Sequence, residues 1–240
     1  MLYAITDRRP YAENKAHALS WLVELAAIWA ANGVSIIQLR EKDLSGREQV
    51  DLARAMLLAI HAAGPRVNRD EDSDGAARAM RVPRLLIHGR ADVALAAGAD
   101  GVHLPAGPET LTPAEVRCIF AAAGRSQAPV ISVSCHTVEE VQLTKRQSPD
   151  CILFAPVFEK VIREKEIASD AEESRGAAQR LPGTGLALLE QACRAAAPVP
   201  VFALGGVTAE NAADCVRVGA AGIAAIRLLQ EPPSVWKHLV

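Results

Sequence analysis

The run Ala91-Asp-Val-Ala-Leu-Ala-Ala-Gly-Ala-Asp-Gly-Val-His-Leu104 has an echo in Asn211-Ala-Ala-Asp-Cys-Val-Arg-Val-Gly-Ala-Ala-Gly-Ile-Ala224. Each reads as a helix, a Gly-Ala turn at its carboxyl end, and then a strand. Gly98 and Gly219 stand 121 positions apart in a chain of 240 residues, about half its length, as expected if two strands hold equivalent places in the two halves of one ring. Outward from these repeats, short aliphatic or β-branched runs alternate with stretches whose apolar residues recur at helical spacing. Strands are expected at Leu2–Thr6, Val34–Leu39, Arg84–His88, Gly101–Leu104, Val130–Val133, Cys151–Phe154, Val199–Leu204 and Gly222–Ile226. Between them the spacing predicts helices near 15–31, 45–62, 90–97, 112–123, 137–147, 184–196, 208–218 and 227–238, with Thr137 and Thr208 as caps before acidic first turns. Such an alternation fits an α/β fold of one domain over 1–240, a (βα)8 TIM barrel, which typically takes about 250 residues. Two stretches break the spacing: 66–80, a polar insertion before the third strand, and 159–183, a long charged loop after the sixth.

Composition narrows the function classes. The formal charge is −2 and aromatics make up only 4% of the chain. That leaves neither the basic footprint nor the stacking platforms of a nucleic-acid binder. No apolar run approaches the roughly 18 residues of a membrane span, and the amino-terminal residues lack the pattern of a secretory signal. Cys118, Cys135, Cys151, Cys193 and Cys215 are odd in number, scattered and without metal-ligand spacing, so they read as buried thiols of a cytoplasmic protein.

In such a barrel, chemistry sits at the carboxyl ends of the strands. Those ends are polar here. Gln38, Arg40 and Lys42 alternate toward one side of the second strand's end, where two cations and an amide suit a phosphate; a structural ion pair of Arg40 with Glu41 is the alternative. His88, Arg90 and His103 end the third and fourth strands, and Ser134 and His136 end the fifth. The three histidines are acid/base candidates near neutral pH, and His103 and His136 read equally well as hydrogen-bonded core residues. Gly205-Gly206 before a helix is a phosphate-site arrangement, to which Gly185 and Arg227 could add donors; the alternative is a tight turn.

Taken together, Ala4-Ile-Thr-Asp7, Gln38-Leu-Arg-Glu-Lys-Asp-Leu-Ser45, Gly98-Ala-Asp-Gly-Val-His-Leu104, Val133-Ser-Cys-His136, Ala155-Pro-Val-Phe158 and Ala203-Leu-Gly-Gly-Val-Thr-Ala-Glu-Asn211 resemble, in order and spacing, the thiamin phosphate synthases and their sister thiazole tautomerases. The resemblance covers nearly the whole chain. It implies, for a synthase, a pyrimidine pyrophosphate held by Gln38, Arg40 and Lys42 with Ser134 beside them, a thiazole phosphate at Gly205-Gly206, and Mg²⁺ on two carboxylates. The chain departs from that pattern. His88-Gly89-Arg90 stands where the synthases usually read Asn-Asp-Arg, and Pro105-Ala-Gly-Pro-Glu109 lacks their next Asp, leaving Glu109 as the one substitute ligand. Arg163 or Lys165 would replace the lysine that follows the sixth strand. These losses resemble the tautomerase branch, which aromatises a thiazole carboxylate phosphate by moving a proton and requires no metal. One base position of that branch is Pro156 here, so His136, His88 and Ser134 are the catalytic expectation. A non-catalytic phosphate-ester binder and a homodimer both stay open.

Overall fold

In the computed structural model, residues 1–11, 14–64, 82–107, 109–162 and 179–239 are described. The polar insertion 66–80 lies outside them, as do Arg163 and Lys165. Eight strands close into one barrel: β1 (Leu2–Ile5), β2 (Ile36–Leu39), β3 (Arg84–His88), β4 (Gly101–Leu104), β5 (Val130–Cys135), β6 (Cys151–Phe154), β9 (Val201–Leu204) and β10 (Gly222–Ala225). Every barrel pairing is parallel, and the ring closes where Leu2 of β1 pairs with Ile223 of β10. Parallel neighbours need a crossover, and the helices supply it: α1 (Lys15–Ala31), α2 (Gly46–Ala63), α3 (Ala91–Ala97), α4 (Pro113–Ala122), α5 (Val138–Lys145), α6 (Gly185–Ala196) and α7 (Ala212–Arg217), then α8 (Arg227–Gln230) and α9 (Pro233–Trp236).

The echo that opened the sequence reading has a steric cause. A Cβ on Gly101 would sit 1.8 Å from the Val130 carbonyl oxygen, and one on Gly222 would sit 1.9 Å from that of Met1. Each glycine is the first residue of its strand, where the next strand's backbone crosses too closely for any side chain. β4 and β10 lie opposite each other in the ring.

Side-chain alternation divides the apolar residues into two shells. Between barrel and helices lies the larger, with Leu22, Trp29, Ile37, Leu39, Leu85, Ile87, Val102, Phe120 and Phe154 buried in it. Inside the barrel lies a smaller cluster of Tyr3, Ile5, Leu86, Cys151, Leu153, Phe202 and Ala224. The helix starts are capped as their residues dictate: Ser45 with Glu48 and Thr112 with Glu115 form reciprocal capping boxes.

Four expectations need correction. The last helix is two short ones, because Pro232-Pro233 removes backbone donors and favours a fresh start at Pro233. The helix expected from 208 begins only at Ala212, because the Asn211 side chain accepts from the Thr208 amide and spends that turn as a loop. The charged loop 159–183 carries an antiparallel ribbon of β7 (Lys160–Ile162) and β8 (Gln179–Leu181). Cys118 is exposed rather than buried, on the outer face of α4. No described helix is long and apolar enough to cross a membrane.

Candidate functional site

The inner face of a strand carries every second residue. Near the carboxyl end of this barrel those residues are polar: Tyr3 and Gln38 on β1 and β2, His88 and His103 on β3 and β4, Ser132 and Ser134 on β5. They meet in one hydrogen-bonded cluster. The Tyr3 hydroxyl donates to Gln38 Oε1 at 3.1 Å and lies 2.9 Å from Ser132 Oγ. Ser132 Oγ lies 2.7 Å from His103 Nδ1, and Ser134 Oγ lies 3.0 Å from His103 Nε2. Gln38 Nε2 lies 2.9 Å from His88 Nδ1, and the two imidazoles stack with centroids 5.4 Å apart.

His103 is 3% exposed. Burial pushes its pKa well below the usual histidine range, and the charges of His88 and Arg40 push the same way, so it is neutral. Burial likewise pushes the Tyr3 phenol well up, which keeps it a protonated donor. Ser134 and His136 do not form a pair. Strand β5 runs on to Cys135, so Ser134 points into the barrel at His103, while His136 lies past the strand end, exposed, with Nδ1 2.7 Å from the Ala155 carbonyl oxygen. A carbonyl can only accept, so His136 carries its hydrogen on Nδ1 and its lone pair on Nε2.

Other expected groups separate from this cluster. Gln38 is 1% exposed, with its amide engaged by Tyr3 and His88. Arg40 is half-buried and in no ion pair with a described residue, its amide being held by Thr6 Oγ1. The expected alternative, an Arg40–Glu41 pair, is replaced by Arg8, whose Nε lies 3.5 Å from Glu41 Oε2 and whose guanidinium also meets Asp43. Lys42 is exposed. Arg90 turns outward, donating to both oxygens of Asp92 (2.8 and 2.6 Å), and lines a cavity of about 350 Å³ between α2 and α3, outside the barrel. The Gly185 amide is spent on the Val157 carbonyl at 2.9 Å and is not an anion donor. Gly205 and Gly206 have φ of 93° and 66°, and Cβ atoms there would meet Pro156 Cα at 2.8 Å and Phe158 Cβ at 2.7 Å. Close approach of the segment after β6 therefore already requires both glycines. Arg227 is exposed at the start of α8.

Tyr3 and Ser132 were missed as site residues. Their signal was present, since period-2 alternation puts Tyr3 inward with Ile5, and Ser132 inward with Ser134.

A resident Mg²⁺ wants oxygen donors. The carboxylates near this end are committed elsewhere: Asp7 to Arg9 (Oδ1–Nε and Oδ2–Nη2, both 2.8 Å), Glu41 and Asp43 to Arg8, and Asp92 to Arg90. Burial alone would raise Asp7, but its bonds from Arg9 hold it below the usual range. Glu109 is exposed on the loop after β4, and among the described residues no group of three or more His, Cys, Asp or Glu could hold a metal. The described residues do not fit a protein-held Mg²⁺.

A parallel (βα)8 barrel with a polar, hydrogen-bonded cluster at the carboxyl ends of its strands has the layout of a barrel enzyme. The thiamine monophosphate synthase family model matches residues 2–229. A thiamine-phosphate synthase of Methanoculleus marisnigri is 32% identical over 225 residues, 94% of this chain and 85% of that one. One of Roseiflexus castenholzii is 31% identical over 226 residues, 94% of this chain and 79% of the other. Among solved structures, a thiamine phosphate pyrophosphorylase from Pyrococcus furiosus superposes with a TM-score of 0.67 at 22% identity, covering 99% of this chain and 92% of its own, a likeness of fold. The chain belongs to the thiamine monophosphate synthase family, a family of transferases of thiamine biosynthesis.

Proposed function

We propose that this chain binds a thiazole phosphate and moves a proton on it without a metal, the tautomerase type of reaction within the family. The observation that carries the reading is the inner cluster itself. Where a metal-dependent synthase reads an Asp after β3 this barrel has Gly89, and after β4 it has only the exposed Glu109; inside, two imidazoles stack, one of them held neutral by burial between two serine hydroxyls. In such a reaction one C–H bond of the substrate breaks, a base takes the proton, and a proton returns at another atom of the same molecule. No electrons leave the substrate.

His136 is the base in this reading. Its Nδ1–H is held by the Ala155 carbonyl, which leaves the Nε2 lone pair at the mouth, between the ends of β5 and β6. Ser134 and His88 orient the ring. Arg40 and Arg227 are the cations for the phosphate, with the Gly205-Gly206 turn after β9, the part of the fold where phosphate sites recur.

A second reading, the synthase reaction that joins a pyrimidine pyrophosphate to a thiazole phosphate, is favoured by the names of the relatives at 31–32% identity. Purified protein assayed separately with the non-aromatic thiazole carboxylate phosphate and with the two synthase substrates plus Mg²⁺ decides between them. Turnover of the first without Mg²⁺ is expected. Pyrophosphate release from the second pair, lost on Glu109→Gln, would overturn the proposal in favour of the synthase. Binding without turnover of either would leave a phosphate-ester binder.

A further inference from the structure

Ser134, His103, Ser132, Tyr3, Gln38 and His88 are joined one to the next by hydrogen bonds, drawn from five barrel strands. We propose that this chain has a single direction, and that Tyr3 and Ser132 are positioning residues that fix the tautomer of His103. Each hydroxyl has one hydrogen to give. Gln38 Oε1 can only accept, so Tyr3 gives it its hydrogen. The Tyr3 oxygen must then accept from Ser132. Ser132 has nothing left for His103, so it accepts from His103 Nδ1–H. His103 is neutral, so its Nε2 bears no hydrogen and accepts from Ser134. At the other end the Gln38 amide hydrogen points at His88 Nδ1. Turning the Gln38 amide over would reverse every bond at once; no mixed arrangement satisfies the chain.

The direction sets the polarity of the site. Ser134 spends its hydrogen inward and presents oxygen lone pairs, so it is an acceptor. The ligand that fits is a ring with a hydrogen-bond donor toward Ser134. Such polarity discriminates strongly, because a ligand of reversed polarity leaves buried groups unpaired. The tautomer holds whichever reaction the barrel runs; its use in orienting the substrate rests on the proton-transfer reading above.

Long-range ¹H–¹⁵N correlation spectra of the full chain labelled with ¹⁵N-histidine read the tautomers directly. The expected result is His103 with its hydrogen on Nδ1. In Tyr3→Phe the ring still packs edge-on against Phe202, at 5.6 Å between centroids, but Ser132 is freed to donate to His103. His103 should then move toward the Nε2–H form, and kcat should fall about tenfold, the worth of one neutral hydrogen bond, with KM changed less. Ser132→Ala removes the same link and gives the same readout if Tyr3→Phe does not fold. The reversed His103 tautomer in the unmodified chain, or a tautomer unmoved in both variants, would overturn the proposal. The expected tautomer with no thiazole turnover would sink the reaction assigned above and leave the directional chain standing; turnover with the reversed tautomer would do the opposite.

Discussion

Glu41 shows how burial governs a single titratable group. It is 5% exposed at the end of β2, and burial pushes its pKa from 4.5 to about 7 against the pull of Thr6 and Arg8, with Asp7 adding to the rise. Because the folded value lies above the unfolded one, the folded state binds the proton more tightly. The stabilisation is full below pH 4.5 and is lost as pH rises through about 7. Glu41→Gln keeps a neutral, hydrogen-bonding group, so its stability should be flatter across that window. Urea unfolding at about pH 5 and about pH 8 should show the difference between the two proteins shifting in the variant's favour by up to about 3 kcal/mol. An unchanged difference would contradict the buried, neutral Glu41. At the mouth, His136→Asn keeps a donor for the Ala155 carbonyl but removes the lone pair. It should lower kcat by about 10²- to 10⁴-fold, read in the thiazole assay, without loss of folding by circular dichroism. At this scale the residue types were legible from strand ends, but the partners were not: that Ser132 and Ser134 both meet the one imidazole of His103 depends on where β5 stops and how β4 and β5 register, with His103 opposite Ser132.

Strands and helices were legible because the alternation between barrel interior and helix layer leaves period-2 and helical signatures along the chain. What was not legible came from local chemistry that competes with periodicity. Pro232-Pro233 splits a continuous apolar pattern, and Asn211 draws the Thr208 amide into a loop. Gly101 and Gly222 are the strongest element-scale constraint. Gly101→Ala drives a methyl into the Val130 backbone and should cost about 3 kcal/mol or more, seen as a large drop in thermal midpoint. Gly124→Ala, with φ of 71° and open space around its Cβ, should cost only the conformational strain, about 1–2 kcal/mol. Equal losses at the two positions would mean that the strand crossing does not demand a glycine.

For the molecule as a whole, the closed ring brings residues from distant parts of the chain to one end. Tyr3 and Ser132 touch across 129 positions, and the Trp29 indole of α1 donates to the Leu229 carbonyl of α8 at 2.7 Å, tying the last turns to the first helix. Trp29→Phe removes that donor and leaves a buried carbonyl unpaired, so unfolding free energy should fall by about 1–3 kcal/mol while the thiazole assay is unaffected, because the bond lies outside the barrel's interior. The ring explains why near-neutral composition coexists with a polar interior: the cluster is built of hydroxyls, an amide and imidazoles, and the arginines near it are largely paired. On the proposed function, this interior moves a proton on a thiazole phosphate without a metal. The direct measurement is deuterium exchange into that substrate in D₂O, followed by NMR with the protein exhaustively treated with chelator. Enzyme-dependent incorporation at a ring position, abolished by His136→Asn, is the predicted result. No exchange until Mg²⁺ is restored, or exchange that survives His136→Asn at the full rate, would contradict it.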